Sequence, residues 1–288
     1  MEDEYRIERI FVSCMGALTS HEAERTAQRL KGRDLYRVEK KWVEACAGRR
    51  LAHAVFHPEL WARQARDIAE YCSRRAIRIC SIEHPDYPRM LREIYDPPYL
   101  LYCRSRKGID PEARAVAVVG TRRASRQALS AAYRFGTEAA EAGIVLVSGL
   151  ARGIDSAAHQ GCVDAGGITW AVLGSGVDCI YPRSAGELAR RIVASGGALI
   201  SEFPPLEGPK RWHFPKRNRI VSGLCSCVVV AEAPERSGAL ITADFALQEG
   251  REVYTLPSSA QGNRMLSMQG AQVIESLHQI LRTTGGYK

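Results

Sequence analysis

Val118-Val119-Gly120-Thr121-Arg122 and Val147-Ser148-Gly149-Leu150-Ala151-Arg152-Gly153-Ile154-Asp155 are two successive strand-to-helix turns. Each follows a short apolar run, opens on glycine and carries an arginine into the start of a predicted helix. In an open parallel sheet such turns lie side by side at the carboxyl ends of the strands, where exposed backbone N–H groups and helix dipoles attract anions. Arginine adds charge and a fork of donors suited to phosphate. The pair therefore predicts a site for a phosphorylated ligand, either a small nucleotide or a nucleic acid.

The rest of the chain from residue 113 continues the alternation. Apolar runs at 115–119, 144–147, 168–173, 198–200, 227–231 and 252–256 alternate with amphipathic stretches at 125–142, 155–165, 185–195 and 239–249. Continuous Val/Ile/Ala runs predict strands buried on both faces, hence an α/β fold with a mostly parallel, Rossmann-like sheet covered by helices on both sides. Residues 1–80 show helical spacing, as in Leu60, Trp61, Ala65, Ile68, Ala69 and Cys72, and predict a small helical N-terminal domain with Ser20 as a helix N-cap. Between the two lies a Pro-rich connecting segment, 81–112, with a boundary near 105–112, leaving 113–288 as the Rossmann-like domain.

The 288 residues carry a formal charge of +8, which favours anionic partners. Nine scattered cysteines do not form a secreted disulfide framework, and Cys225 and Cys227 lack the further ligands a structural zinc needs, so buried thiols, no metal and no cofactor are expected. Met1-Glu2-Asp3-Glu4-Tyr5-Arg6 is charged where a signal peptide would be apolar, and no apolar run approaches the length of a membrane span. A cytoplasmic protein without membrane insertion is expected.

Two further segments join the sheet edge. Lys210-Arg211-Trp212-His213-Phe214-Pro215-Lys216-Arg217-Asn218-Arg219 interleaves cations with aromatic rings, the pattern that suits a single strand: cations track the backbone and rings stack on bases. Its alternative is a solvated basic loop with Trp212 and Phe214 tucked into the core. Glu232-Ala233-Pro234-Glu235-Arg236-Ser237-Gly238 ends a strand and turns into a helix through Ser237 and Gly238, whose amides either receive a phosphate or cap the helix. Likewise Arg152 either binds ligand or pairs with Asp155. Gly174-Ser175-Gly176 lacks the third glycine of a dinucleotide fingerprint. His159 lies one turn after Asp155, and Glu202 is placed either as a general base or as a partner for an arginine of the basic segment. No serine elbow or ligand cluster completes a catalytic set, and no catalytic residue is assigned.

In these residues the chain resembles the DNA-processing protein A family (DprA, also called Smf). The resemblance runs over about residues 80–276, through Val118-Val119-Gly120-Thr121-Arg122, Ser148–155, Tyr181-Pro182-Arg183, the stretches 199–204 and 213–224, Ser237-Gly238-Ala239-Leu240-Ile241-Thr242-Ala243 and Gly250-Arg251-Glu252-Val253-Tyr254, with His84-Pro85-Asp86-Tyr87-Pro88 upstream. It implies an extended Rossmann-like domain that binds single-stranded DNA, forms a homodimer and loads the RecA recombinase during natural transformation. The DNA-binding positions it implies are Gly120, Thr121, Arg122, Gly149, Arg152, Phe214, Lys216, Arg217, Asn218 and Arg219, with Ser237 and Gly238. Two departures stand out: Ser258-Ser259-Ala260-Gln261-Gly262-Asn263 looks shorter than the corresponding family loop, and the chain stops at Lys288 without the C-terminal winged helix of many members. The competing expectation is a Rossmann-like nucleotide-processing enzyme, similar to nucleoside-monophosphate phosphoribohydrolases, but their Pro-Gly-Gly-x-Gly-Thr motif is missing.

Overall fold

In the computed structural model, which describes residues 6–51 and 55–283, the six apolar runs form the parallel centre of one nine-stranded sheet. The strands are β1 (Arg78–Ser81), β2 (Leu100–Ser105), β3 (Ala115–Val119), β4 (Val145–Ser148), β5 (Thr169–Val172), β6 (Ala198–Ser201), β7 (Cys227–Val230), β8 (Glu252–Thr255) and β9 (Gln272–Val273). Their order is β1-β2-β6-β5-β4-β3-β7-β8-β9. From β6 to β9 every pairing is parallel, whereas β1–β2 and β2–β6 are antiparallel. The α/β class with helices on both faces is therefore as read from the sequence. The two antiparallel strands are an addition: β2 lies within the Pro-rich segment 81–112 and registers Tyr102 against Ser201.

Alternate residues of each strand enter separate cores. Ala115, Ala117 and Val119 face one layer, with Ile220, Ala239 and Ala243; Val116 and Val118 face the other, with Ala132, Phe135 and Ala158. The helices are α1 (Arg6–Met15), α2 (Ser20–Leu30), α3 (Lys40–Ala47), α4 (Pro58–Arg74), α5 (Arg89–Arg92), α6 (Arg126–Glu141), α7 (Ile154–Asp164), α8 (Gly186–Ala194), α9 (His213–Gly223), α10 (Gly238–Gln248), α11 (Gln261–Met268) and α12 (Leu277–Thr283). Helices α9 and α10 cover the first layer, and α6, α7 and α12 cover the second. None of the described helices is long and apolar enough to cross a membrane.

Helices α1–α4 enclose a core of their own around Phe11, Leu30, Val43 and Trp61, which β2 joins through Leu100. The N-cap of α2 is Thr19, one residue before the position expected. Its hydroxyl accepts from Glu22 N and its amide donates to the Glu22 carboxylate, a capping box that fixes the frame. The Ser20 hydroxyl instead donates to Pro97 O in the connecting segment. The charged stretch at residues 1–5, residues 52–54 and the tail 284–288 lie outside the described residues.

Strand order decides where a ligand site can form. Chain order runs β3, β4, β5, β6 toward one edge and β7, β8, β9 toward the other, so neighbouring β3 and β7 send their following segments in opposite directions. A crevice opens at such a reversal, outside the carboxyl ends of the strands. Gly120 follows β3 there, and Glu232 to Gly238 follow β7.

Candidate nucleic-acid interface

A cleft of about 760 Å³ occupies this reversal point. Its walls come from the turns after β3, β4 and β7 and from one face of α9, which brings together Gly120, Thr121, Arg122, Gly149, Phe214, Arg217, Asn218, Ser237 and Gly238. Arg152 lines an adjoining hollow with Arg122, Tyr181 and Arg183.

The turns are held closed by the chain's own acids. Asp155, buried at the start of α7, accepts from the amides of Gly149 (3.2 Å) and Ala151 (3.4 Å). Thr121 N donates to Glu232 O at 2.7 Å, while the Glu232 carboxylate accepts from the amide and hydroxyl of Ser125, the N-cap of α6. Ser237 caps α10, accepting from Ala239 N. Several amides suited to a phosphate are thus satisfied within the fold, and attraction for an anion passes to the side chains.

Those side chains are arginines. Arg122, Arg123, Arg211 and Arg236 line the cleft, and Arg152 and Arg183 the hollow beside it; all six are exposed. Among the described residues none of the six has an ion-pair partner. The alternative pairing of Arg152 with Asp155 does not form. Six uncompensated guanidinium groups around one crevice give it a strong positive potential, focused by its low-dielectric walls.

Arg217 lies beneath them. Only 5% exposed, it donates to Gly149 O at 2.7 Å and to Val172 O, tying the ends of β4 and β5 to α9. Burial lowers its pKa to about 10, opposed by the charge of Asp155. Burial likewise pushes the Asp155 carboxyl up, with Arg217 and the two amides pulling the other way. The guanidinium also explains a glycine: a Cβ on Gly149 would lie 2.3 Å from Arg217 Nη1. At Gly153 the backbone has φ +81°, and a Cβ there would stand 2.4 Å from Thr121 O, so the two turns interlock only through glycine.

The basic segment is not a loop from residue 213 onward. It is helix α9, with Pro215 in the first turn, where a missing N–H costs no helical hydrogen bond. Helical phase then divides the expected residues between two faces. Phe214, Arg217 and Asn218 face the cleft. Lys216 and Arg219 face away: Glu202 pairs with Lys216 at 3.0 Å and accepts from both terminal nitrogens of Arg219 at 2.9 Å. Arg219 Nε further reaches Asp96 at 2.9 Å. Burial opposes the charge on Arg219, but the Glu202 and Asp96 carboxylates outweigh it and raise its pKa. Glu202 is therefore an arginine partner and lies off the cleft.

The aromatics are not tucked into the core either. Phe214 forms the cleft wall, with its ring centroid 5.6 Å from that of Tyr181 and the Arg122 guanidinium 5.5 Å above it. Trp212 is 56% exposed. His213 between them is the buried one, stacked on Phe203 at 3.7 Å with Nδ1 3.2 Å from Gly174 O. His159 is buried against the Thr169 hydroxyl at 2.7 Å, and burial lowers its pKa to about 3, leaving a neutral packing residue.

Tyr181, Arg183, Arg211 and Arg236 were not singled out from the sequence as site residues. For Tyr181 the available signal was its place just after the Gly174-Ser175-Gly176 turn, which follows the strand beside β4. For Arg236 it was adjacency to Ser237 and Gly238.

The sequence pattern of the family described as DNA recombination-mediator protein A matches residues 78–285. DNA processing protein DprA of Bacillus subtilis is 39% identical over 230 residues, covering 78% of this chain and 75% of that protein. Protein Smf of Synechocystis is 41% identical over 211 residues, 70% of this chain and 53% of its own length, so this chain spans about half of that relative. The X-ray structure of DNA processing protein A from Streptococcus pneumoniae superposes with a TM-score of 0.76 at 32% identity, covering 96% of this chain and 97% of that one. The structure of DNA processing protein A from Helicobacter pylori, described for its single-stranded DNA binding mode, gives a TM-score of 0.61 at 27% identity, covering 68% of this chain and 92% of that one.

Proposed function

Because this chain belongs to the DNA recombination-mediator protein A family, we propose that its cleft binds single-stranded DNA and that the protein acts by holding the strand rather than by reacting with it. The observation that carries this reading is the ring of exposed arginines that have no ion-pair partner among the described residues, around a crevice that also presents Phe214 and Tyr181. Arginines at the rim contact phosphates without reading sequence, while the rings offer π-faces that any base can use. A duplex keeps its bases stacked inside and cannot offer them to Phe214, so single strands are preferred.

In this reading Gly120, Thr121, Gly149, Ser237 and Gly238 shape the cleft, Arg122 and Arg152 take phosphates, and Phe214 stacks. Asn218 donates to Gly238 O at 3.1 Å and holds the α10 turn against α9. Arg217 acts from beneath, and Lys216 and Arg219 fix the orientation of α9 through Glu202. The protected strand is handed to RecA recombinase in homologous recombination and natural transformation, in the cytoplasm, by a homodimer. The enzyme reading loses its general base, because Glu202 is held by two cations behind α9.

The test is a titration with a labelled oligothymidylate, challenged by unlabelled single strand, duplex and AMP. Single strand should compete at the lowest concentration. Equal competition by AMP, or release of adenine from it, would return the site to nucleotide chemistry.

A further inference from the structure

Trp212 is the feature that the cleft does not use. It precedes the first residue of α9, and its ring is held by near-perpendicular contacts with Phe203 (centroids 5.9 Å, 81°) and His213 (4.2 Å, 84°). Despite these it stays 56% exposed, a large apolar area left in water. Two ammonium groups stand beside it: Lys210 Nζ lies 5.8 Å and Lys216 Nζ 5.9 Å from the ring centroid. Carboxylates hold both in place, Glu207 for Lys210 and Glu202 for Lys216. The neighbouring residue, Arg211, already belongs to the cleft wall.

We infer that Trp212 is a second stacking site for a nucleobase of single-stranded DNA, outside the cleft and on the Glu202 side of α9. The inference rests on the reading of the cleft given above and extends the strand's path by one step, past Arg211 and around the start of α9. The tethered lysines are largely neutralised by Glu202 and Glu207, so they do not form another phosphate clamp. They hold the ring in a fixed orientation and keep its surroundings polar, which disfavours an apolar protein partner and leaves the π-face as the recognition element. Stacking of this kind is tolerant of sequence and adds affinity only for strands long enough to reach beyond the cleft.

The site carries its own reporter. Of the other three tryptophans, Trp61 and Trp170 are buried, and Trp42 lies under the Arg33 guanidinium in the helical unit. Intrinsic emission of the full chain is titrated with oligothymidylates of about 4 to 16 nucleotides, alongside Trp212→Ala, Trp212→Phe and Arg122→Ala. The shortest strands should bind without quenching, and longer ones should quench the emission. Trp212→Ala should weaken the long strands about 5- to 150-fold and leave the short ones unchanged. Trp212→Phe, which keeps a ring, should bind nearly as the parent does, separating stacking from damage to the fold. If Arg122→Ala is defective while Trp212→Ala binds every length normally and emission never changes, the cleft reading stands and this inference is overturned, leaving the ring to a protein contact. If the parent binds no single strand at all, both fall.

Discussion

Replacing Arg217 by methionine separates what the buried arginine does from what the exposed ones do. The change keeps most of the side-chain volume and removes the guanidinium. Gly149 O and Val172 O then lose their donor inside the fold, and Asp155 loses the cation that offsets its burial. An unsatisfied buried polar group costs about 1–3 kcal/mol, and removing one partner of a buried charge pair costs about 3–5 kcal/mol in all. The two descriptions overlap, so a net loss of about 3–5 kcal/mol is predicted. For a unit the size of residues 78–285 this lowers the melting temperature by about 7–12 °C. Arg122→Ala, by contrast, removes an exposed side chain that has no ion-pair partner among the described residues and should stay within about 0.5 kcal/mol of the parent. Calorimetry and DNA titration on both variants give a double dissociation: Arg217→Met melts early, and Arg122→Ala melts normally and binds weakly. Asp155→Asn in the Arg217→Met background should recover part of the stability, because the uncompensated charge is gone. An Arg217→Met protein melting within about 1 °C of the parent would refute the assignment of this arginine to the cleft floor.

Two other outcomes follow from the burial pattern. Glu202→Ala leaves Arg219, at 7% side-chain exposure, with Asp96 as its one carboxylate partner among the described residues, and thermal melts should show a loss of about 3 kcal/mol with no change in any base-releasing activity toward AMP. His159 is held neutral, its pKa lowered from 6.5 to about 3. The unfolded chain therefore takes up a proton between those values that the native state refuses, so stability is full above pH 6.5 and falls as pH drops toward 3, by at most about 1.4 kcal/mol per pH unit from this group. His213 is shifted in the same sense by burial, with Glu207 and the Gly174 carbonyl opposing and Lys210 assisting, so His159→Gln should flatten the acid limb of a melting-temperature profile only in part; an unchanged slope would contradict the assignment.

The parallel sheet and the adjacency of the two glycine–arginine turns were legible because they depend on local sequence. Continuous Val/Ala runs place strands within a residue or two of where they lie, and glycine at 149 and 153 marks turns that no larger residue fits. The antiparallel extension was not legible, since β2 owes its strand state to β6, nearly a hundred residues later, and prolines disguise its approach. The basic segment misled for a different reason. Pro215 and a lack of apolar periodicity hide a helix there, but proline is harmless in a first turn, and helical phase then assigns neighbouring cations opposite faces. Charge was readable from the sequence, and Glu202 stood there as one possible arginine partner, while the choice between its two roles and the part played by Asp96 required the fold.

Whether the exposed arginines hold the phosphates of a single strand is tested most directly by the salt dependence of oligothymidylate binding to the parent protein and to Arg122→Ala. Affinity of the parent should fall steeply as salt rises. The variant should bind more weakly, with a log–log slope shallower by about 0.7, the share of one phosphate on a single strand. Identical slopes for the two proteins, or binding to the parent that ignores salt, would contradict a phosphate-holding role for these side chains.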